Sequence, residues 1–281
     1  MSALFIDKLR AAWATQASML CVGLDPDPKR FPAPWTNRVE GVAAFCNAIV
    51  DATADLVCAY KPQIAYFSAL GAEDQLEAVI AHIRDVAPHA CVILDAKRGD
   101  IGSTALLYSF EAYGRYGADA VTVNPYLGLD TLEEFASWSD RGMFVLCRTS
   151  NPGSGEFQNL DVGGEPLYVR VARQVAATYP TAGLVVGATY PEEVGIVRNV
   201  APDAPLLVPG IGAQGGNLAS TVANGAIVRA GAAGAGGAGG LVVNSSRAVL
   251  YASSGPDFDG AARVEALRTR DAIAAAVPPV S

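Results

Sequence analysis

The strongest constraint in this sequence is a repeat of form rather than of letters. A short apolar, β-branched run ends in a polar residue or glycine, and a stretch with helical spacing follows it. The runs that read as strands are Leu20 to Asp25, Val57 to Lys61, Cys91 to Lys97, Ala120 to Asn124, Met143 to Ser150, Gly183 to Gly187, Leu206 to Gly210 and Leu241 to Ser245. Strands that are apolar throughout have both faces covered, and their alternation with helices makes the sheet parallel. Eight such units in 281 residues fit an α/β fold of the (β/α)8 TIM barrel type, typically ~250 residues, better than an open doubly wound sheet.

Between the strands, Asn37 followed three residues on by Glu40 predicts an N-cap for a helix carrying Ala43, Ala44, Ala48 and Leu56. From Ala72 to Val86 the spacing places Leu76, Val79, Ile80 and Ile83 on one face, with Glu73, Asp74, Glu77 and Arg84 in water. Further helices are expected at 103–116, 167–177, 191–199 and 260–276. No composition break divides the chain, so residues 1–281 are expected to form a single barrel domain with a Gly/Ala-rich loop at about 216–240. The stretch from Asn151 to Gly164, rich in glycine and polar residues, allows two readings, a lid over the mouth or only a long loop, of which the lid is preferred.

Composition removes several classes of function. With 51% hydrophobic and 17% charged residues the chain is not disordered. Its 20 basic against 28 acidic residues, net −8, give no general attraction for nucleic acid or for an anionic membrane. The Gly/Ala tract is interrupted by Arg229 and too rich in glycine for a membrane span. The first ten residues lack the basic-then-apolar order of a signal peptide. Five cysteines stand singly in apolar runs and only two histidines are present, so no metal site and no cofactor is expected, and a reduced, cytoplasmic protein is.

In a barrel of this kind the C-terminal ends of the strands face the active-site mouth. The polar residues found there are Asp25, Lys61, Asp95 with Lys97, Asn124 and Ser150, then Gln214 and Arg247 after the last two strands. The third strand is the most specific, reading V-I-L-D-A-K-R-G-D-I-G-S-T from Val92 to Thr104. Asp95 and Lys97, two apart on a strand, should point the same way, and Asp100 and Thr104, four apart, should share a face of the next helix. On their own these residues allow two readings: a buried ion pair with Asp100 capping the helix, or a charged catalytic strand end.

The pattern does not stand alone. Gly23-Leu-Asp25, Tyr60-Lys61-Pro62, D-A-K-R-G-D-I-G-S-T from Asp95, Thr149-Ser150-Asn-Pro-Gly, Pro209-Gly-Ile-Gly-Ala-Gln214-Gly-Gly and Asn244-Ser-Ser-Arg247 together resemble the orotidine 5′-phosphate decarboxylase family, in its longer bacterial branch. The resemblance implies a lyase of pyrimidine biosynthesis that converts orotidine 5′-monophosphate to UMP, a nucleotide monophosphate substrate, and a homodimer with shared active sites. It also implies a charge network of Lys61, Asp95, Lys97 and Asp100, with Lys97 the proton donor and Asp100 and Thr104 reaching in from a partner subunit. Asp25 and Lys61 would hold ribose hydroxyls, Ser150 the pyrimidine, and Gln214 with Arg247 the phosphate. Ser246, before Arg247, departs from the glycine of many relatives.

The chemistry agrees with that transfer. Loss of CO₂ from C6 of the pyrimidine leaves an electron pair that the ring cannot delocalise, so a fixed positive charge must stabilise it, and Lys97 is suited to do so. Two alternatives remain at this stage. One is a Mg²⁺-dependent sugar-phosphate decarboxylase or aldolase of the same superfamily, against which Lys61 counts, since a cation does not help to hold a divalent metal. The other is a non-catalytic barrel that binds a nucleotide phosphate.

Overall fold

All eight expected strands are present, each within two residues of its predicted bounds. The computed structural model describes residues 4–211, 217–228 and 238–279. Seven strands come in order: β1 (Leu20–Leu24), β2 (Ala59–Pro62), β3 (Cys91–Arg98), β4 (Ala120–Val123), β5 (Gly142–Arg148), β6 (Gly183–Val186) and β7 (Leu206–Val208). A short antiparallel pair follows, β8 (Ile227–Val228) with β9 (Ala238–Gly239), and then β10 (Leu241–Ser245). β1 to β7 and β10 close into a parallel barrel in the order β1-β10-β7-β6-β5-β4-β3-β2. Every residue of β1, β2, β4, β6, β7 and β10 is buried, which is why these strands read as unbroken apolar runs.

One helix that the sequence reading passed over closes the N-terminal end of the barrel. Phe5–Gln16 buries Phe5, Leu9, Ala12 and Trp13. Phe5 meets Phe144 edge to face at 5.9 Å. A methyl group at Gly142 would overlap the Phe5 ring, and one at Gly239 would press on Trp13, so each aromatic is seated on a glycine. Cutting a buried Phe or Trp to Ala in such a seat costs about 3–5 kcal/mol.

Three helical expectations need correction. Asn37 does not cap the helix of residues 42–53: it sits at φ +59, and the helix Val42–Thr53 begins after a 3-10 turn at Val39–Gly41. The cap is tertiary instead. Gln75, on the helix Glu73–Val86, accepts from the Ala43 amide at 2.9 Å and donates to the Val39 carbonyl at 2.9 Å. The helix expected over 103–116 runs only over Gly102–Ser109 and widens into a π-helical segment, Phe110–Arg115. That segment carries Glu111, which takes two hydrogen bonds from Arg98 at the end of β3. Finally, the region given as a loop at about 216–240 contains the helix Leu218–Gly225, capped by Asn217 through the Ser220 amide, as well as β8 and β9. This barrel helix is only eight residues long and buries Thr221, Val222 and Gly225, too short an apolar face to stand out as a helical period.

Candidate active site

At the C-terminal end of the barrel lies a cavity of about 550 Å³. Asp25, Lys61, Asp95, Lys97, Ser150 and Arg247, from five different strand ends, all line it. Its charged centre is the Asp95 carboxylate, bracketed by two ammonium groups: Lys61 Nζ donates to Oδ2 at 2.8 Å and Lys97 Nζ to Oδ1 at 2.6 Å. Lys61 and Asp95 are buried, whereas the Lys97 side chain is 47% exposed and faces the open space.

The electrostatics follow from this arrangement. Burial works against the charge on Lys61, but Asp95 and Asp25 outweigh it and hold its pKa above the ordinary lysine value. Burial likewise works to raise Asp95, yet Lys61 and Lys97 hold its carboxyl well below the usual carboxylate range. Beneath the pair, burial pushes the Cys21 thiol up to about 12, so it stays neutral even beside Lys61. All five cysteines are free and buried.

Asp95 and Lys97 do meet, but not on a regular strand. Lys97 has φ +49, in the left-handed region that L residues other than Asn and Asp seldom enter, at a cost of order 1–3 kcal/mol. The β3–β4 register shifts between Leu94 and Arg98 at the same place. Thr122 of β4 sits at this irregularity. Its Oγ1 accepts from the Ala96 amide at 3.0 Å and the Lys97 amide at 2.9 Å, and donates to Asp95 Oδ1 at 2.9 Å. Sequence reading missed Thr122, since a threonine in an apolar run looks like β-propensity. The available signal was a hydroxyl on a strand otherwise made of Ala and Val.

Asp25 Oδ1 is buried with no hydrogen-bond partner among the described residues, so it can accept from a ligand hydroxyl. Ser150 is held by its neighbours. Gln158 accepts from the Thr149 amide at 2.8 Å and donates to Thr149 Oγ1 at 2.8 Å, and a methyl at Gly187 would collide with the Ser150 backbone. Gln158 lies in the stretch read as a lid, on the short helix Gly155–Gln158, and also lines the cavity. The buried Arg148 ties that stretch to the barrel, pairing with Glu193 at 2.6 Å and donating to Ser154 Oγ. Neither Gln158 nor Arg148 was singled out from sequence.

Arg247 opens the short helix Arg247–Leu250 beyond β10. The serine before it is accommodated: Ser246 Oγ accepts from Asn244 at 3.2 Å and occupies the space over Gly23, where any side chain would overlap it. Gly210, at φ +97, makes the turn leaving β7 and lines the cavity. Gln214 lies outside the described residues.

Asp100 and Thr104 are not brought to this chain's cavity. Asp100 Oδ1 accepts from the neighbouring Ile101 amide at 2.8 Å, and Thr104 is exposed on the helix that begins at Gly102. Nor does Asp100 cap that helix, whose N-cap residue is Ile101. Asn124 is also outside the cavity lining, accepting from the Tyr126 amide at 3.0 Å. His82 pairs with Asp51 and His89 with the Ala54 carbonyl, both away from the cavity.

Comparison with known proteins accords with this geometry. The family described as "Orotidine 5'-phosphate decarboxylase / HUMPS family" matches residues 18–257. A protein of Azoarcus sp. (strain BH72) named orotidine 5'-phosphate decarboxylase is 58% identical over 272 residues, 96% of this chain and 98% of that protein. One from Dechloromonas aromatica (strain RCB), with the same name, is also 58% identical over 272 residues, 96% of this chain and 98% of its own. Among solved structures, Leishmania donovani OMP decarboxylase superimposes with a TM-score of 0.81 at 36% identity, covering 98% of this chain and 99% of that one. The chain therefore belongs to the orotidine 5′-phosphate decarboxylase family.

Proposed function

We propose that this protein decarboxylates orotidine 5′-monophosphate to UMP in pyrimidine nucleotide synthesis, with Lys97 as the group that stabilises and then protonates the C6 carbanion. The observation that carries this reading is the Asp95 carboxylate held between two ammonium groups, one buried and one facing the cavity. When the bond from C6 to the carboxylate breaks, the electron pair stays on C6, and CO₂ leaves neutral. The Lys97 ammonium then supplies both the fixed positive charge and the proton that replaces CO₂. Asp95 stands close to the substrate carboxylate and repels it. At ~4 Å and an effective dielectric of ~20 that repulsion is about 4 kcal/mol. Enzymes commonly lower barriers by roughly 8–23 kcal/mol, so most of the effect comes from carbanion stabilisation, positioning and the binding of the remote phosphate.

The other roles follow the cavity lining. Asp25, with an oxygen left unpartnered among the described residues, and Lys61 bind ribose hydroxyls; Ser150 binds the pyrimidine; Arg247 binds the phosphate, helped by the close backbone approach that Gly210 permits, and the family resemblance adds Gln214 to it. Asp100 and Thr104 serve the site of a second copy of the chain. What supports this is the surface around them. Ile101, Leu106, Leu107 and Phe110 on the helical segment after β3, and Tyr126 and Leu127 in the turn after β4, are all exposed, Leu107 by 68% and Tyr126 by 83%. Large apolar side chains gathered on neighbouring strand exits mark an interface, and a two-fold one would carry each Asp100 to the other mouth.

The assay is direct. Purified protein should bleach the ultraviolet absorbance of orotidine 5′-monophosphate at an undiminished rate in excess EDTA, and Lys97→Ala should abolish turnover while UMP still binds. Loss on chelation with rescue by Mg²⁺, or an active Lys97→Ala variant, would refute the reading.

A further inference from the structure

The hydroxyl of Thr122 is saturated. A hydroxyl has one proton to give and two lone pairs to receive with. The amides of Ala96 and Lys97 take the lone pairs, so the single proton is committed to Asp95 Oδ1. Thr122 is 1% exposed, at the wall of the cavity. Two successive amides can converge on one oxygen only where the chain curls, and the left-handed Lys97 is that curl. The same oxygen therefore touches both partners of the reacting pair: the backbone of Lys97 and the carboxylate of Asp95.

We propose that Thr122 is a positioning residue for decarboxylation, its hydroxyl fixing the bulge at Lys97 so that the Lys97 ammonium is set against Asp95 and toward the cavity. This rests on the assignment of Lys97 as proton donor. Without the hydroxyl, two amides lose their shared acceptor, the strand relaxes out of the left-handed conformation, and the lysine swings from its place. The cost falls on the chemical step, because the ammonium acts in the transition state, whereas the cavity groups assigned to ribose, pyrimidine and phosphate stand on β1, β2, β5 and β10 and beyond.

Thr122→Val keeps the shape and removes the hydroxyl; Thr122→Ser keeps the hydroxyl. The valine variant should lose about a hundredfold in kcat with KM within about threefold of wild type, as displacement of a reacting group by about 1 Å does. The serine variant should return to within about fivefold. Affinity for a nucleotide whose pyrimidine analogue carries negative charge at the C6 position should fall in the valine variant in parallel with kcat, while affinity for UMP holds. Circular dichroism melts report folding; if Val does not fold, Thr122→Cys, of similar size with a weak hydrogen-bonding thiol, takes the same measurements. Wild-type kcat in the folded variant, or a loss that serine fails to restore, overturns the proposal. Lys97→Ala separates the two levels. If it is active, the assignment of Lys97 fails; if it is dead while Thr122→Val is fully active, only the role of Thr122 fails.

Discussion

The two lysines that bracket Asp95 should differ sharply in what they contribute to stability. Lys61 Nζ lies 2.8 Å from Asp95 Oδ2 with both side chains largely buried, at 5% and 10% exposure. At an effective dielectric of ~20 the gross attraction at that separation is about 6 kcal/mol. Desolvation offsets much of it, but removing one partner strands the other charge, which costs about 3–5 kcal/mol. Lys61→Met, close in length and apolar, should therefore lower the unfolding free energy by about 3 kcal/mol at pH 7.5. Lys97 is half exposed, so solvent screens its pairing and Lys97→Ala should cost about 1 kcal/mol or less. Lys97→Gly should be more stable than Lys97→Ala by about 1 kcal/mol, since glycine tolerates the left-handed backbone. All three lysine variants should be catalytically dead, so stability and activity separate. The pH dependence has a definite sign. Asp95 has a depressed folded pKa, so its contribution is present above its unfolded value of about 3.9 and is lost as pH falls through the folded one. Without Lys61, Asp95 regains the option of protonating, and the deficit of Lys61→Met should shrink as pH falls from 7 toward 4. Lys61 itself, raised in the fold, contributes stability that is complete below about 10.4 and is lost as pH rises through its folded value. Urea unfolding followed by tryptophan fluorescence measures all of this. A Lys61→Met deficit under about 1 kcal/mol at pH 7.5, or equal deficits for the two lysines, would refute the reasoning.

Two further outcomes are expected. Arg247→Ala should weaken UMP by about tenfold to a hundredfold, in line with the loss of a charge-assisted pair, and leave uridine almost unchanged; calorimetry that finds equal losses moves Arg247 away from the phosphate. Mixing Lys97→Ala with Asp100→Ala chains, both nearly inactive, should restore activity, because a heterodimer with shared sites has one doubly impaired site and one intact. Verified subunit exchange without recovery would return Asp100 to a role within its own chain.

The barrel was legible because burial on both faces writes the strands as apolar runs, and the polar residues ending most of them, Asn124 excepted, mark the mouth. Lys61, Asp95, Lys97, Asp25, Ser150 and Arg247 converge for that reason. What could not be read is what depends on tertiary geometry. Strand periodicity put Asp95 and Lys97 side by side but not through a left-handed residue and a register shift. A local N-cap rule chose Asn37, whereas the amide was satisfied by Gln75 from another helix. The spacing of Asp100 and Thr104 predicted a shared helical face, but the helix begins at Gly102 and leaves Asp100 in the turn before it.

The helix Phe5–Gln16 also constrains the order of assembly. It leaves the ribosome before any strand, yet its seats belong to chain made much later: Gly142 and Phe144 on β5, and Gly239 just before β10. At about 5–20 residues per second, Phe5 waits several seconds or more for its partner ring, and Trp13 longer still. During that time the segment can use only its earlier partners, β3 and Asp119, to which Lys8 donates at 2.8 Å, while its two large aromatics lack their glycine seats. The Trp13 seat at Gly239 is made only just before β10, the strand that pairs with β1 and completes the ring. The helix is therefore seated by chain from three stages of synthesis, and the packing of Trp13 is completed last, together with the final strand.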